Sequence, residues 1–321
     1  MISYREALSH IGEPGPDGVI PAFRDGYATA PASLSEAIVA MADPRPAEWS
    51  LPVEEHVDAF WTENCQGVAV GGGHWFFPSN GSWFGVGDVT PRAIFKFSGS
   101  QQVGQFVVHD DDADHLGDVD YSGGQVFAAL EGSPKSQYGS AVLSVDETFT
   151  FSQVLPLLGE NGGAPPQGGE MPWCAINPWN GLLYSSPFGD THAVKTVFAY
   201  RPADDGWRNA PAENIHLRGH HPTRVQGGAF SPRGHLYLTS DAYVDDVNKG
   251  VHVFSGLNGA YRGVIKVLAL DDNQELEGLC FAALNMNGSS VQLHVVLLEQ
   301  LKLEKDDIFL KHYAAPNPMH V

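Results

Sequence analysis

Apolar and polar positions alternate in short runs along most of this chain, and the runs recur. Asp114 to Tyr121 reads Asp-His-Leu-Gly-Asp-Val-Asp-Tyr, then comes a Gly-Gly turn (Gly123, Gly124) and an apolar run, Gln125 to Leu130. Period-two alternation bounded by glycine predicts strand, tight turn, strand. Four further segments align with the first: Glu63 to Val70, Glu170 to Asn177, Arg224 to Ser231 and Gln274 to Phe281. Their fifth residues are Gly67, Asp118, Cys174, Gly228 and Gly278, spaced by 51, 56, 54 and 50 residues.

Each segment leads into a turn and a second run: His74 to Pro78, Gln125 to Leu130, Leu182 to Ser186, His235 to Thr239 and Val291 to Leu298. A third follows at Ala93 to Phe97, Ala141 to Val145, Val197 to Tyr200, Val251 to Phe254 and Ile308 to Tyr313. Four repeats add a fourth run: Val103 to Val108, Phe149 to Leu155, Asn214 to Leu217 and Gly263 to Leu268. Four antiparallel strands recurring at this period resemble the blades of β-propeller proteins. The phrase Gln274-Glu-Leu-Glu-Gly-Leu is similar to the strand-opening phrase of several propeller families, phytase-like and lactonase-like ones among them. The expected fold is therefore all-β, a five-bladed propeller over residues 48–321. Glu48 to Val53 would supply the fourth strand that the last repeat lacks, closing the ring without an open edge. A six-bladed ring is the alternative and needs a degenerate blade within residues 1–60.

Residues 1–47 read as a partly helical extension. Ser3-Tyr4-Arg5-Glu6 and Ser33-Leu34-Ser35-Glu36 both have capping-box spacing. The stretch between them, Gly12 to Pro31, is rich in glycine and proline and reads as loop.

Composition narrows the picture. Among 321 residues, 43% are hydrophobic and 17% charged, with 36 glycines and 22 prolines, which suits many short strands and turns. The formal net charge of -20 argues against nucleic acid or an anionic membrane surface as partner. Three cysteines, Cys65, Cys174 and Cys280, sit apart in apolar runs and read as small buried hydrophobes. The N-terminus shows no apolar signal region and no run of 18 apolar residues occurs. A cytoplasmic location is the expectation.

In propellers the residues that open the inner strands face one another across one end of the ring, where ligands gather. Here these are Glu63, Asn64 and Gln66; Asp114, His115 and Asp118; Glu170 and Trp173; Arg224 and Gln226; Glu275 and Glu277. Converging carboxylates repel unless a cation or a shared proton intervenes. One expectation is a divalent cation, calcium first, held by Glu63, Asp118, Glu170 and Glu277. His115 would instead favour a transition metal. The other is acid–base catalysis by His115, Asp118, Glu170 and Glu277.

Arg224, Gln226, Trp173, His221 and Gln66 are the candidate substrate-binding residues. The loop Arg218 to Arg224 is the one basic patch on this rim and would suit a carboxylate or phosphate. Trp83, Phe84, Tyr138, Phe188 and Tyr243 would give the rim an apolar wall. The run Asp110 to Asp112 reads as a solvated loop. The functional expectation is an enzyme acting on a small organic molecule, hydrolase-like or lyase- or cyclase-like. Its alternative is a non-catalytic propeller that binds a carbohydrate or a protein. The five ring positions differ chemically, which favours one central site over five equivalent ones.

Overall fold

A computed structural model describes residues 46, 49–81, 90–232, 234–241, 249–267, 274–283, 291–300 and 306–314. The helical reading of residues 1–45 and the rim aromatics Trp83, Phe84 and Tyr243 lie outside the described residues.

The first strand, β1, spans Ser50–Val57. Next come β2 (Ala69–Gly71), β3 (His74–Ser79), β4 (Ala93–Ser98) and β5 (Gln101–Val107), which form one sheet in that order. β6 (His115–Ser122), β7 (Gln125–Ser133), β8 (Gly139–Asp146) and β9 (Ser152–Leu158) pair in succession. So do β10 (Ala175–Ile176), β11 (Leu183–Ser185), β12 (Thr196–Ala203) and β13 (Gly206–Asn209). A short parallel pairing of β13 with β9 joins these two groups into one larger sheet, and β14 (Ile215–His216) runs beside β12. β15 (Val225–Phe230), β16 (His235–Ser240), β17 (Gly250–Ser255) and β18 (Tyr261–Ile265) make the next sheet. β19 (Gln274–Ala283), β20 (Val291–Glu299) and β21 (Asp307–Ala314) make the last, with β1 antiparallel on the outside of β21.

The protein is all-β and propeller-like. Among the described residues there is no α-helix, and no helix is long and apolar enough to cross a membrane.

Burial explains the patterning. β16 and β17 are buried along their whole length and place apolar residues on both faces, Leu236, Leu238, Val251 and Val253 with Tyr237 and Phe254. The outer strand β5 alternates exposed and half-buried positions from Gln101 to Val107, as a strand covered on one side does. The core lies between successive sheets. Phe76 and Ile94 pack with Leu116 and Val126, and Phe127 and Val142 pack with Leu183 and Tyr200. Trp173 and Tyr184 pack with Leu236 and Phe254, and Tyr237 and Val253 with Leu279 and Val295. Finally Trp61 and Phe95 pack with Val296 and Leu310, which joins the last sheet to the first. Cys65, Cys174 and Cys280 are all buried and free.

Two local expectations change. The outer edge of the third repeat was expected at Asn214 to Leu217. It begins earlier, with β13, because Asp204-Asp205 turns the chain back from β12. A 3-10 turn at Pro211–Glu213 then interrupts the edge before β14 resumes it. The first inner strand was expected from Glu63. It pairs regularly only over Ala69–Gly71, preceded by one bridge between Cys65 and Ser79.

Candidate axial site

The inner strands β2, β6, β10, β15 and β19 lie side by side around one axis, and β6 reaches across to β15 and β19. Three carry a bulge at equivalent places: at Gly117-Asp118 in β6, at Gln226 in β15 and at Glu277-Gly278 in β19. A bulge re-aims the side chain it carries.

Asp118 fills the axis. It is fully buried, and its Oδ1 accepts the N–H groups of Val119 (2.8 Å) and Val68 (3.2 Å), while Oδ2 accepts that of Leu279 (3.4 Å). Glycine stands opposite it by necessity: a Cβ on Gly278 would lie 2.0 Å from Asp118 Oδ1. Burial pushes the Asp118 carboxyl well above its usual range, against the opposing pull of the three amides. Its role is to tie three inner strands together, and both oxygens are already engaged.

Glu277 is different. It is 1% exposed, and neither of its carboxyl oxygens has a hydrogen-bond partner among the described residues. Burial first, then the negative charges of Glu275, Asp241 and Asp118, hold it protonated well above the ordinary range, and Arg224 only partly offsets them. A buried acid with both oxygens unmet costs about 1–3 kcal/mol per group and calls for a partner.

Arg224 begins the fourth inner strand in a left-handed conformation, φ 49°, as Asn64 does in the first, φ 48°. Such backbones are costly for side chains other than glycine and persist where the surroundings enforce them. The Arg224 guanidinium donates to the Asp241 carbonyl (3.0 Å) and to Asp190 (2.9 Å), and stacks over the Phe188 ring at 5.0 Å. Fully buried Asp241 also accepts from Lys249 and from the Leu276 N–H, both at 3.0 Å. The arginine expected to anchor an anion is thus already neutralised by neighbouring aspartates.

The other expected residues are placed as follows. Gln66 is buried and donates to Asn64 Oδ1 at 2.7 Å. Gln226 is half-buried in its bulge. Glu63 is half-buried at the end of a 3-10 turn. Glu170 is exposed on the rim and accepts the Phe188 N–H at 2.9 Å. Trp173 was expected to face substrate. It is instead fully buried, its Nε1–H donated to Ser186 and its ring lying over Gly228, so it packs the core. His221 is exposed with a ring nitrogen 3.2 Å from the Leu217 carbonyl, and His220 stacks on His252 and Tyr261, towards the outer strands. The Asp110–Asp112 loop is pinned at its ends by Arg92 and Lys135.

Among the described residues no three His, Cys, Asp or Glu side chains converge to hold an ion. The proposed calcium set does not fit. Asp118 is spent on backbone amides, while Glu170 stands on the rim.

The sequence reading missed a device that recurs at the end of the second strand. Asn80, Glu131 and Asp241 each accept an N–H in or just ahead of the inner strand of the following repeat, from Leu116, Met171 and Leu276. A polar residue just past a buried run, at the same place in aligned repeats, was the available signal. Glu131 also faces His115 across the β6–β7 pair, with Oε2 3.6 Å from Nδ1.

No protein family and no curated protein matches the chain. Solved structures resemble it at fold level. The tail fibre of Staphylococcus aureus phage P68 superposes with a TM-score of 0.49 at 13% identity, over 85% of this chain and 54% of the fibre. The chain therefore spans about half the length of that protein. A DUF4623 family protein from Bacteroides eggerthii gives 0.46 at 9% identity, over 84% of this chain and 77% of that one. A protein of unknown function from Dyadobacter fermentans gives 0.45 at 10% identity, over 84% and 99%. These likenesses carry no argument about activity.

Proposed function

We propose that the repeats form a five-bladed propeller closed by β1, and that the axial end carrying Gln66, Gln226 and Glu277 is a site for one small, hydroxyl-rich molecule. The single observation that supports the site is Glu277, a buried acid whose oxygens have no hydrogen-bond partner among the described residues. In this reading Glu277 keeps its proton at neutral pH and gives it to an oxygen of the ligand as general acid. Gln66, ahead of β2, and Gln226, in the β15 bulge, orient the ligand through amides that donate and accept. The engagement of Arg224 with Asp190 and Asp241 favours a neutral ligand over an anionic one. Protonation of a leaving oxygen makes the reaction class hydrolytic or eliminative, as on glycosides or sugar lactones.

The test is turnover of a panel of glycosides, sugar lactones and unsaturated uronides, followed by NMR, with wild type and Glu277→Gln. General-acid loss costs about 10²–10⁴-fold in rate, so wild-type turnover that falls at least 100-fold in the variant supports the reading. Equal turnover by both proteins overturns it. Binding without turnover overturns the enzymatic part and leaves a carbohydrate-binding propeller.

A further inference from the structure

Glu131 departs from its counterparts in the other repeats. Asn80 returns both of its polar atoms to Leu116, and Asp241 is surrounded by Leu276, Lys249 and Arg224. Glu131 makes the same clasp with Oε1 alone, to the Met171 N–H. Its extra methylene turns Oε2 towards His115, its cross-strand partner, at 3.6 Å from Nδ1. That Nδ1 has no hydrogen-bond partner among the described residues, and at 3.6 Å the Glu131 carboxylate lies just beyond hydrogen-bond reach. The two side chains are 33% and 26% exposed, so the pair is open to solvent at the start of β6.

We propose that Glu131 sets the tautomer of His115 and that His115 Nε2 is the proton acceptor of the axial site, an assignment that rests on the small-molecule reading above. With Glu131 ionised, the His115 Nδ1–H points at the carboxylate and Nε2 presents a lone pair outward. With Glu131 protonated, its O–H points at Nδ1, the ring proton sits on Nε2, and the outward atom becomes a donor. In the reaction Nε2 takes a proton from a hydroxyl or an activated C–H of the ligand, the electron pair stays on the ligand, and the Glu131 carboxylate steadies the imidazolium. His115 is then the catalytic base and Glu131 its positioning residue.

The surroundings suit this division. The charged groups described about the pair are Arg92, Asp114 and Glu170. Arg92 is held by the Ala113 and Asp114 carbonyls and by Asp110. Burial, then Arg92, lowers His115 to about 4, so the ring is uncharged at neutral pH. Burial, with Glu170 adding to it and the Met171 N–H opposing, raises Glu131 to about 7.

The tautomer is read directly by long-range ¹⁵N–¹H correlation on histidine-labelled protein, with His115→Gln to assign the signal. The expected result is a neutral ring that carries its proton on Nε2 at pH 5.5 and on Nδ1 at pH 8.5. In Glu131→Gln the amide oxygen keeps the Met171 clasp and the amide N–H₂ faces Nδ1. That variant should hold the Nε2–H tautomer at both pH values. A wild-type ring fixed in one tautomer across this range overturns the proposal, as does a Glu131→Gln ring that still switches. Should the variant fail to fold, the wild-type titration decides alone.

Where turnover is found, Glu131→Gln should lower kcat at least 10-fold with little change in KM and remove the limb of the pH profile near neutrality. A switching tautomer in a protein that turns nothing over keeps the assignment of the pair and rejects the enzymatic reading of the site.

Discussion

Asn80 donates to the Leu116 carbonyl at 3.0 Å and accepts the Leu116 N–H at 2.7 Å, so one side chain satisfies both backbone groups of an inner-strand residue in the next repeat. Those groups are buried, and water does not replace a lost partner there. Asn80→Ala should therefore cost about 2 kcal/mol, the penalty of orphaning buried polar groups, measured by urea unfolding. The axis makes the complementary case for crowding. A methyl at residue 278 would lie 2.0 Å from Asp118 Oδ1 and 2.2 Å from its Cγ, inside the closed ring of inner strands. Gly278→Ala should cost about 3 kcal/mol by overpacking. Adding Asp118→Ala removes the atoms it strikes, so the double variant should fall less than the sum of the two singles. Strict additivity would mean that the two residues do not meet across the axis.

At the scale of strands, β1 sits where an open edge would otherwise be. It pairs with β21 from Val57–Ile308 to Glu54–Lys311, and Lys311 forms an ion pair with Glu54. Just before it, Trp49 packs edge-on against Tyr237 at 6.3 Å and beside Phe281. Removing residues 1–57 would expose the full length of β21 and empty the Trp49 pocket. The midpoint of thermal unfolding should fall by roughly 10 °C, or the protein should associate through the bared edge; scanning calorimetry and light scattering separate these outcomes. An unchanged midpoint with a monomeric protein would remove β1 from the closure.

The strands were legible because apolar alternation and glycine turns are local signals, and the pairing of residues near 50 with the end of the chain followed from a strand missing in the last repeat. β13 was overlooked because Gly206–Asn209 is a short strand without apolar alternation, reached through the Asp204-Asp205 turn. At the axial end, residue type and spacing did point to Asp118 and Glu277. They did not tell the two apart, because that difference is made by non-local backbone amides: Val68 and Leu279 reach Asp118 from other repeats, and among the described residues nothing comparable reaches Glu277. Glu131 escaped notice for a similar reason, since its partner His115 is its neighbour across the sheet and not along the chain.

For the molecule as a whole, buried ionisable groups of two kinds oppose each other along the pH scale. Burial raises Asp120 and Glu131 to about 7 and holds Asp118 and Glu277 well above their ordinary range. A carboxyl raised in the folded state contributes its full stability below its unfolded value, near 4, and loses it as pH climbs through the folded value. Burial lowers His115 to about 4 and His294 to about 3, and lowers His220 and His312 as well. These histidines act in the other sense, favouring the fold increasingly as pH rises, until their unfolded value near 6.5 is passed. The two sets oppose each other between about pH 4.5 and 6.5, and above that only the carboxyl loss continues. Stability should thus decline from pH 6.5 to 8.5, where a net charge of -20 adds its own repulsion. Salt separates the two contributions, since it screens surface repulsion and leaves buried groups largely unscreened. In 0.5 M sodium chloride the wild-type unfolding midpoint should still fall by several degrees across this range, and Glu277→Gln, which has no carboxyl to ionise there, should fall less. A flat profile in high salt would show that surface charge alone drives the alkaline loss, and that Glu277 carries no proton to lose.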